Sequence, residues 1–212
     1  MKRLIFIRHG ETDYTLREKC CGQIDMELNA KGIAQAKRLR TELNGIKIDR
    51  VYASDLKRAY QTAQIIFNNK TILKRKGLRE LDFGHFSGLT YKQINRLYPK
   101  AYKTLMNDLA KAKPLGGESI RHFVNRVERC FNRIFNQNAK NTVAIVSHIG
   151  PIRIIHLKIQ GENLSNFWEI QQNPGSFRII EFRKENKRGI KINSNPLLKA
   201  QHKESKVLKK YR

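Results

Sequence analysis

The chain has 212 residues, with 43 Lys and Arg against 18 Asp and Glu, which gives a formal net charge of +25. A hydrophobic fraction of 40% and a mean hydropathy of −0.60 fit a folded globular chain and exclude a wholly disordered one. The longest apolar runs, residues 4–7 and 143–146, are far shorter than the ~20 residues that a membrane-spanning helix needs.

Strand and helix patterns alternate through the first part of the chain. Residues 2–8 predict a buried strand, because residues 4–7 are continuously apolar. Asn29 is placed to cap a helix over 30–43, which Asn44 and Gly45 would end. The next predicted elements are a strand at 50–53, a helix at 56–67 and a strand at 71–74.

The second part of the chain continues the alternation after a glycine-punctuated loop at 77–88. Helices are predicted at 90–97 and 101–111, with Pro99 between them. Ser119 predicts the start of an amphipathic helix that extends to Ile134. The remaining predictions are a buried strand at 142–147, a helix at 151–158 and a hairpin formed by 176–182 and 189–193. Strands separated by helix-length connections predict an α/β fold with a mainly parallel sheet.

The last part of the chain is strongly basic. Residues 183–212 contain eleven Lys or Arg and two Glu, and residues 195–212 predict a disordered tail. A Lys-, Asn- and Ile-rich composition with a solvated basic tail is the preferred explanation of the charge. The alternative is binding of RNA, anionic lipid or a polyanionic substrate, which through such a tail would be weak and nonspecific. Residues 1–194 then form the single predicted domain.

The cysteines predict a reduced, cytoplasmic protein. Cys20, Cys21 and Cys130 are odd in number and lack the spacing of a disulfide framework, and no signal-peptide pattern follows Met1. Cys130 falls on a predicted helix face and is interpreted as core filler. Cys20 and Cys21 leave open a reactive or metal-binding pair, although they lack the usual C-x-x-C spacing.

Charged side chains follow the two buried strands at the point where each strand ends. Arg8 and His9 end the first strand, and His148 follows the strand at 142–147. Open α/β sheets place their binding sites at the carboxyl ends of strands. If the two strands are neighbours, both histidines face one crevice. Either histidine alone would be interpreted as an ordinary strand-end residue.

Two further residues complete a predicted anion site. Arg58 lies at the start of the helix after the second strand, where its guanidinium adds to the positive end of the helix dipole. Glu80 lies in the glycine-rich loop. Two arginines and two histidines around one point fit phosphate.

Six segments in order resemble the histidine phosphatase superfamily, also called the phosphoglycerate mutase-like family. The similarity covers about residues 2–193. The matching segments are residues 8–12 (RHGET), 22–36 (with GQID, Leu28, Gly32 and Gln35-Ala36), 54–63 (SDLKRAYQTA), 78–88 (LRELDFGHFSG), 116–119 (GGES) and 147–153 (SHIGPIR). The resemblance implies a three-layer sandwich, with helices on both faces of a mainly parallel sheet.

The resemblance also implies a metal-independent mechanism with no cofactor. His9 would attack phosphorus to form a phosphohistidine, and Glu80 would serve as acid and then as base. Arg8, Arg58 and His148 would hold the phosphate oxygens. The implied phosphate-binding set is Arg8, Thr15, Gly22, Gln23, Arg58, Glu80, His148 and Ile149. A zinc site formed by His9, His148 and Glu80 is the alternative, which the neighbouring arginines disfavour by repulsion.

One position departs from the family pattern. Many relatives have Asn three residues after the RHGET threonine, where this chain has Thr15. The change puts one phosphate contact in doubt, since a hydroxyl must replace an amide.

Similarity to short family members reduces the number of candidate substrates. The chain lacks room for the insertion with which mutases grip phosphoglycerate, so the prediction is a phosphatase, and alpha-ribazole 5′-phosphate is the preferred substrate. The alternatives are a broad-specificity sugar or phosphoserine phosphatase, a phosphoglycerate mutase, and, from a different class, a protein that binds RNA or anionic lipid on the same fold. Residues 90–117 are predicted to form a substrate-selecting lid, and a homodimer is also predicted.

Overall fold

The computed structural model describes residues 3–184 and 190–194, so the tail predicted at 195–212 lies outside the described residues. Its strands are β1 (Arg3–Arg8), β2 (Arg50–Ala53), β3 (Ile72–Lys74), β4 (Thr142–Ser147), β5 (Phe177–Lys184) and β6 (Ile190–Ser194). Its helices are α1 (Asp13–Leu16), α2 (Ala30–Glu42), α3 (Lys57–Ile66), α4 (Tyr91–Leu97), α5 (Pro99–Asn107), α6 (Ile120–Gln137) and α7 (Ile149–Gln160). Every predicted strand is present.

The strands form one six-stranded sheet in the order β3-β2-β4-β1-β5-β6. The four strands β3, β2, β4 and β1 are parallel, whereas β5 and β6 are antiparallel additions that form the predicted hairpin. β1 and β4 are direct neighbours, and Arg8 lies opposite Ser147 at their carboxyl ends. The prediction of a mainly parallel α/β sheet is therefore confirmed.

Side chains alternate between the two faces of the sheet and build a core on each. Ile5 and Ile7 of β1 pack with the buried residues of α2 and α3, including Leu39. Leu4 and Phe6 point to the opposite core, which contains the apolar faces of α6 and α7. Each fully buried side chain of this size contributes roughly 1.5–3 kcal/mol through loss of apolar surface to water. Two helical layers around one sheet give the implied three-layer sandwich.

Local signals determine most helix ends. The Asn29 side chain accepts a hydrogen bond from Gly32 N at 2.8 Å and caps α2, and Ser119 caps α6 through His122 N at 3.3 Å. α7 ends at Gly161, whose φ of +70° is the left-handed conformation that glycine adopts readily.

Three predicted helix boundaries are wrong, two of them beside proline. Pro99 is the first residue of α5 rather than a break before it, because the first turn of a helix needs no N–H from that position. The same tolerance lets α7 begin at Ile149, upstream of Pro151. The predicted helix at 101–111 also ends early, and residues 109–111 form a separate 3₁₀ turn.

Candidate active site

The carboxyl ends of β1 and β4 bring His9 and His148 together. His9 N donates to Ser147 O at 3.0 Å, which extends the strand pairing by one residue. The two imidazole rings then meet edge to face, with centroids 5.0 Å apart. The two histidines therefore lie side by side, as expected of neighbouring strands, but of the two only His9 lines the cavity of this site.

His9 is a buried, neutral imidazole with a defined tautomer. Its Nδ1 lies 2.7 Å from Gly10 O, which can only accept, so Nδ1 holds the proton. Nε2 therefore presents a lone pair, and Arg58 Nε donates to it at 3.3 Å. Burial, followed by the positive charges of Arg58 and Arg8, holds the pKa of His9 well below its ordinary value of 6.5.

Arg58 is fully buried on the second residue of α3, and its guanidinium is fixed by backbone oxygens. Nη1 donates to Ile24 O at 2.8 Å and Nη2 donates to Gly22 O at 2.7 Å. Gly22 has a φ of +51°, which favours glycine, and an added Cβ would lie 3.0 Å from Ser87 Oγ. Gly22, predicted to bind phosphate, thus contacts the guanidinium through its carbonyl group.

Arg8 is the second cation beside His9. Its Nη1 donates to Gln172 O at 2.6 Å, whereas its buried Nε has no hydrogen-bond partner among the described residues. Burial, followed by the charge of Arg153, lowers the pKa of Arg8 to about 10. At neutral pH this guanidinium is still charged, and an anion beside it would relieve an unfavourable burial.

His148 is fully buried against the His9 ring and is held by Ser54. Its Nε2 lies 2.9 Å from Ser54 Oγ, and its Nδ1 is buried without a hydrogen-bond partner in the described part of the chain. When Ser54 donates to Nε2, Nδ1 holds the proton and is a free donor. Burial and the charge of Arg58 hold the pKa of His148 well below its ordinary value.

Glu80 is positioned by amides on both sides of its carboxyl group. Leu81 N donates to Oε1 at 3.0 Å, and Gly150 N, in the first turn of α7, donates to Oε2 at 3.3 Å. Its backbone oxygen accepts from Gln23 Nε2 at 3.3 Å. Gln23, another predicted phosphate ligand, therefore supports the Glu80 backbone.

Thr15 and Ile149 both line the cavity at this site. The Thr15 hydroxyl is already used: it donates to Thr12 O at 2.9 Å and accepts from Thr12 N at 2.8 Å. This reciprocal cap of the short helix α1 was not predicted from the sequence. The expected hydroxyl-to-phosphate contact would therefore have to break a local hydrogen bond.

The cavity has a volume of about 410 Å³ and a lining of mixed chemistry. Beside His9, its charged lining residues are Arg8, Glu18, Lys19, Arg58, Glu80, Lys92 and Arg153. The aromatic and apolar part of its wall includes Phe83, Tyr91, Tyr102, Leu105, Phe167 and Trp168. Residues of the predicted lid, 90–117, supply much of this wall.

Arg153 also lines the cavity, although in the sequence it stands out only as the last residue of the SHIGPIR motif. Its Nε donates to Ile170 O at 2.8 Å, and its guanidinium carbon lies 5.0 Å from the ring centroids of both Phe167 and Trp168. The available signal was an arginine within an otherwise apolar helical run, because such a residue is seldom buried without a specific partner.

Burial disfavours the reactive thiolate form of Cys20 and of Cys21. Cys20 and Cys21 line the cavity, and burial raises the pKa of both thiols, that of Cys20 to about 12. Cys130 is partly buried against the core, as expected of a filler. Within the described ranges, no three His, Cys, Asp or Glu side chains are grouped as metal ligands, the zinc set His9, His148 and Glu80 included.

Comparisons with a family model and with known proteins all point to the same family. Residues 4–195 match the model of the histidine phosphatase superfamily (branch 1). The chain is 30% identical to phosphoserine phosphatase 1 of Hydrogenobacter thermophilus, over 91% of this chain and 92% of that protein. It is 29% identical to adenosylcobalamin/alpha-ribazole phosphatase of Escherichia coli, over 84% and 89% of the two chains.

A solved structure agrees with these matches. The fold resembles phosphoserine phosphatase of Entamoeba histolytica in complex with 3-phosphoglyceric acid, with a TM-score of 0.80 and 28% identity, over 92% of this chain and 95% of that chain.

None of the helices in the described part of the chain combines the length and the apolar character that a membrane span requires.

Proposed function

The chain belongs to the histidine phosphatase superfamily (branch 1) and is a phosphatase, and from that premise we propose that it hydrolyses phosphomonoesters through a phosphorylated His9. The observation that supports this most strongly is the tautomer of His9. Because Gly10 O accepts a hydrogen bond from Nδ1, the proton is on Nδ1 and Nε2 has a lone pair. That lone pair points toward the guanidinium group of Arg58, which is where a phosphate group would be held.

Phosphoryl transfer to His9 follows from this arrangement. Nε2 attacks phosphorus, the bond from phosphorus to the ester oxygen breaks, and the low pKa of His9 keeps the nucleophile unprotonated at neutral pH. Arg8 and Arg58 offset the charge on the phosphoryl oxygens in the transition state. Arg8 Nε and, when Ser54 donates to the other ring nitrogen, His148 Nδ1 lack a hydrogen-bond partner among the described residues, and we propose them as further donors to these oxygens.

Glu80 would move the protons of both half-reactions. As a carboxylic acid it protonates the leaving oxygen, so the alcohol departs neutral. As a carboxylate it then takes a proton from water, which attacks phosphorus, breaks the P–N bond and releases inorganic phosphate. His9 and Glu80 return to their starting protonation states, and no metal or cofactor enters either step.

Alpha-ribazole 5′-phosphate is our preferred substrate. The relatives named above include phosphatases for both phosphoserine and alpha-ribazole, so their names alone do not decide. The aromatic and apolar part of the cavity wall favours a leaving group with a large flat apolar part over a small amino or hydroxy acid. Broad-specificity hydrolysis of sugar phosphates or phosphoserine, and phosphoglycerate mutase activity, are the alternatives.

The test is hydrolysis of p-nitrophenyl phosphate in EDTA by the wild type, by His9→Ala and by His85→Ala, whose histidine is exposed and outside the cavity lining. We expect activity in EDTA that is lost in His9→Ala and kept in the control. A panel of alpha-ribazole 5′-phosphate, phosphoserine and 3-phosphoglycerate then ranks the substrates by kcat/KM. Undiminished turnover in His9→Ala would overturn the phosphohistidine route.

Polyanion binding and a homodimer remain predictions. The first depends on residues 195–212, which lie outside the described residues. Salt-sensitive retention on RNA that survives His9→Ala and weakens when 195–212 are deleted, together with no turnover of any ester, would favour the binding function.

A further inference from the structure

Both terminal nitrogens of the Arg126 guanidinium group donate to carbonyl groups of the loop that contains Glu80. Nη2 donates to Glu80 O at 2.7 Å, and Nη1 donates to Arg79 O at 2.8 Å and to Gly77 O at 3.3 Å. The residue projects from the middle of α6, the amphipathic helix that packs on the sheet. One side chain therefore gathers the carbonyl groups of an irregular segment.

Glu118, from the GGES segment, binds the guanidinium group of Arg126 and also hydrogen-bonds to the same loop on the other side of Glu80. Its two carboxylate oxygens accept from Nε and Nη2 of Arg126, both at 2.7 Å. Its backbone N donates to Asp82 O at 3.0 Å. The side chains of Arg126 and Glu118 are only 15% and 8% exposed, so this bidentate pair is shielded from water.

Neither residue of this clamp, Arg126 with Glu118, lines the cavity. The loop residues around Glu80 belong to no strand, so no sheet ladder fixes them. The carboxyl group of Glu80 is oriented by amides at Leu81 and Gly150, and its backbone oxygen accepts from Arg126 and, at a longer distance, from Gln23. The Arg79 pair with Asp55 and the Ser147 hydrogen bond to Leu78 O hold the residues just before it. Displacement of a proton donor by about 1 Å lowers a rate on the order of a hundredfold.

We propose that Arg126, clamped by Glu118, is a positioning residue that fixes Glu80 for proton transfer to the leaving group, an inference that rests on the proposed function. Among the described residues, the hydrogen bonds of the clamp go to the loop that contains Glu80 and not to the guanidinium groups of Arg8 and Arg58. The effect of losing it should therefore depend on how much the leaving group needs a proton.

The experiment compares an alkyl ester, β-glycerophosphate, with p-nitrophenyl phosphate, whose leaving group departs without protonation. The measured quantity is the ratio of the two kcat/KM values, because kcat/KM reports the steps up to the phosphohistidine and excludes its later hydrolysis. The variants are Arg126→Gln, Arg126→Lys, Glu118→Gln and, as the reference for lost proton transfer, Glu80→Gln. Arg129→Gln is the matched control, since Arg129 is exposed on the same helix and donates to Asn125 O, within its own helix, rather than to the loop of Glu80.

We expect Glu80→Gln to lower kcat/KM for β-glycerophosphate by about 10²–10⁴-fold and to change that for p-nitrophenyl phosphate far less. Arg126→Gln should show the same selectivity, with a loss of roughly tenfold to a hundredfold on the alkyl ester. Arg126→Lys and Glu118→Gln should lose less, because each keeps part of the clamp. The control should match the wild type.

Equal losses on both esters in Arg126→Gln, or no loss at all, would overturn the positioning role. If Arg126→Gln does not fold, as judged by circular dichroism, the ratio for the milder Glu118→Gln decides on the same terms. A wild type that hydrolyses neither ester refutes the proposed function itself, whereas an active wild type with a selective loss only in Glu80→Gln refutes the clamp alone.

Discussion

At the residue scale, the carboxyl group of Glu80 is confined by its neighbours as well as held by hydrogen bonds, and Gly150 leaves no room beside it for a further side-chain atom. A Cβ added at Gly150 would lie 2.1 Å from Glu80 Oε1 and 2.9 Å from Phe123 Cζ. The carboxyl group is the end of a flexible side chain and can swing aside, whereas the backbone around it need not move. Substitution at Gly150 should therefore disturb the proton donor more than the fold.

We accordingly expect Gly150→Ala to lower kcat/KM for an alkyl phosphate on the order of a hundredfold, since the Glu80 carboxyl group is misplaced. The midpoint of thermal unfolding should change little. The control is Gln160→Ala, an exposed position at the end of the same helix. Wild-type kinetics in Gly150→Ala would show that Glu80 does not work from the position described.

The principal site residues could be predicted because each follows a strand end or a recognisable motif. His9, His148, Arg58 and Glu80 meet at one place, as expected. Residues that act on those side chains from a distance in sequence were not predicted. Ser54 on His148 belongs to this class, because only the folded sheet shows which hydroxyl reaches which ring.

At the element scale, the lid segment 90–117 and the turn around Trp168 form the aromatic part of the cavity. Trp168 meets the Tyr91 ring edge-on at 6.4 Å and the Phe167 ring at 5.0 Å between centroids. The same Trp168 ring stacks on Arg153. A planar apolar leaving group would join this cluster rather than displace it.

Trp168→Ala should therefore raise KM for alpha-ribazole 5′-phosphate about tenfold, since an aromatic contact contributes roughly 0.5–1.5 kcal/mol beyond its buried area. The value for p-nitrophenyl phosphate should change less, because its single ring covers less of the wall. Trp168→Phe is the matched control and should keep most of the affinity. An unchanged KM for the nucleotide in Trp168→Ala would contradict this placement of the leaving group.

Element boundaries were predictable where a cap or an apolar period marks them. α6 shows the helical period clearly, and Ser119 begins it as expected. α5 was misplaced, because proline both breaks helix interiors and favours first turns, and the sequence alone does not say which applies. Short α1 has no apolar period at all, since none of its residues is buried.

At the scale of the whole molecule, the site depends on a strand order that apolar runs cannot specify. β1 and β4 are separated by more than a hundred residues in sequence but are adjacent in the sheet. Their continuous apolar runs show only that both are central. The order emerges from packing α2 and α3 on one face and α6 and α7 on the other.

The buried histidines also make stability depend on pH. Burial, followed by the charge of Arg178, lowers the pKa of His156 from 6.5 to about 4. Between these values the unfolded chain binds a proton that the folded chain does not, so the stability present above pH 6.5 is lost as the pH falls toward 4. His9 and His148 act in the same direction.

His156→Gln should make the free energy of unfolding less dependent on pH between pH 6.5 and 4. The free energy of unfolding of the wild type should fall by at most about 3 kcal/mol more than that of the variant between pH 6.5 and 4, because a tenfold difference in proton affinity between the folded and unfolded states corresponds to about 1.4 kcal/mol. Urea unfolding at a series of pH values measures the difference in slope, which is independent of any packing change common to all pH values. Gln160→Ala, at an exposed position without a titratable group, should keep the wild-type slope. If the free energy of unfolding of His156→Gln falls with pH as steeply as that of the wild type, His156 is protonated in the folded protein as easily as in the unfolded chain.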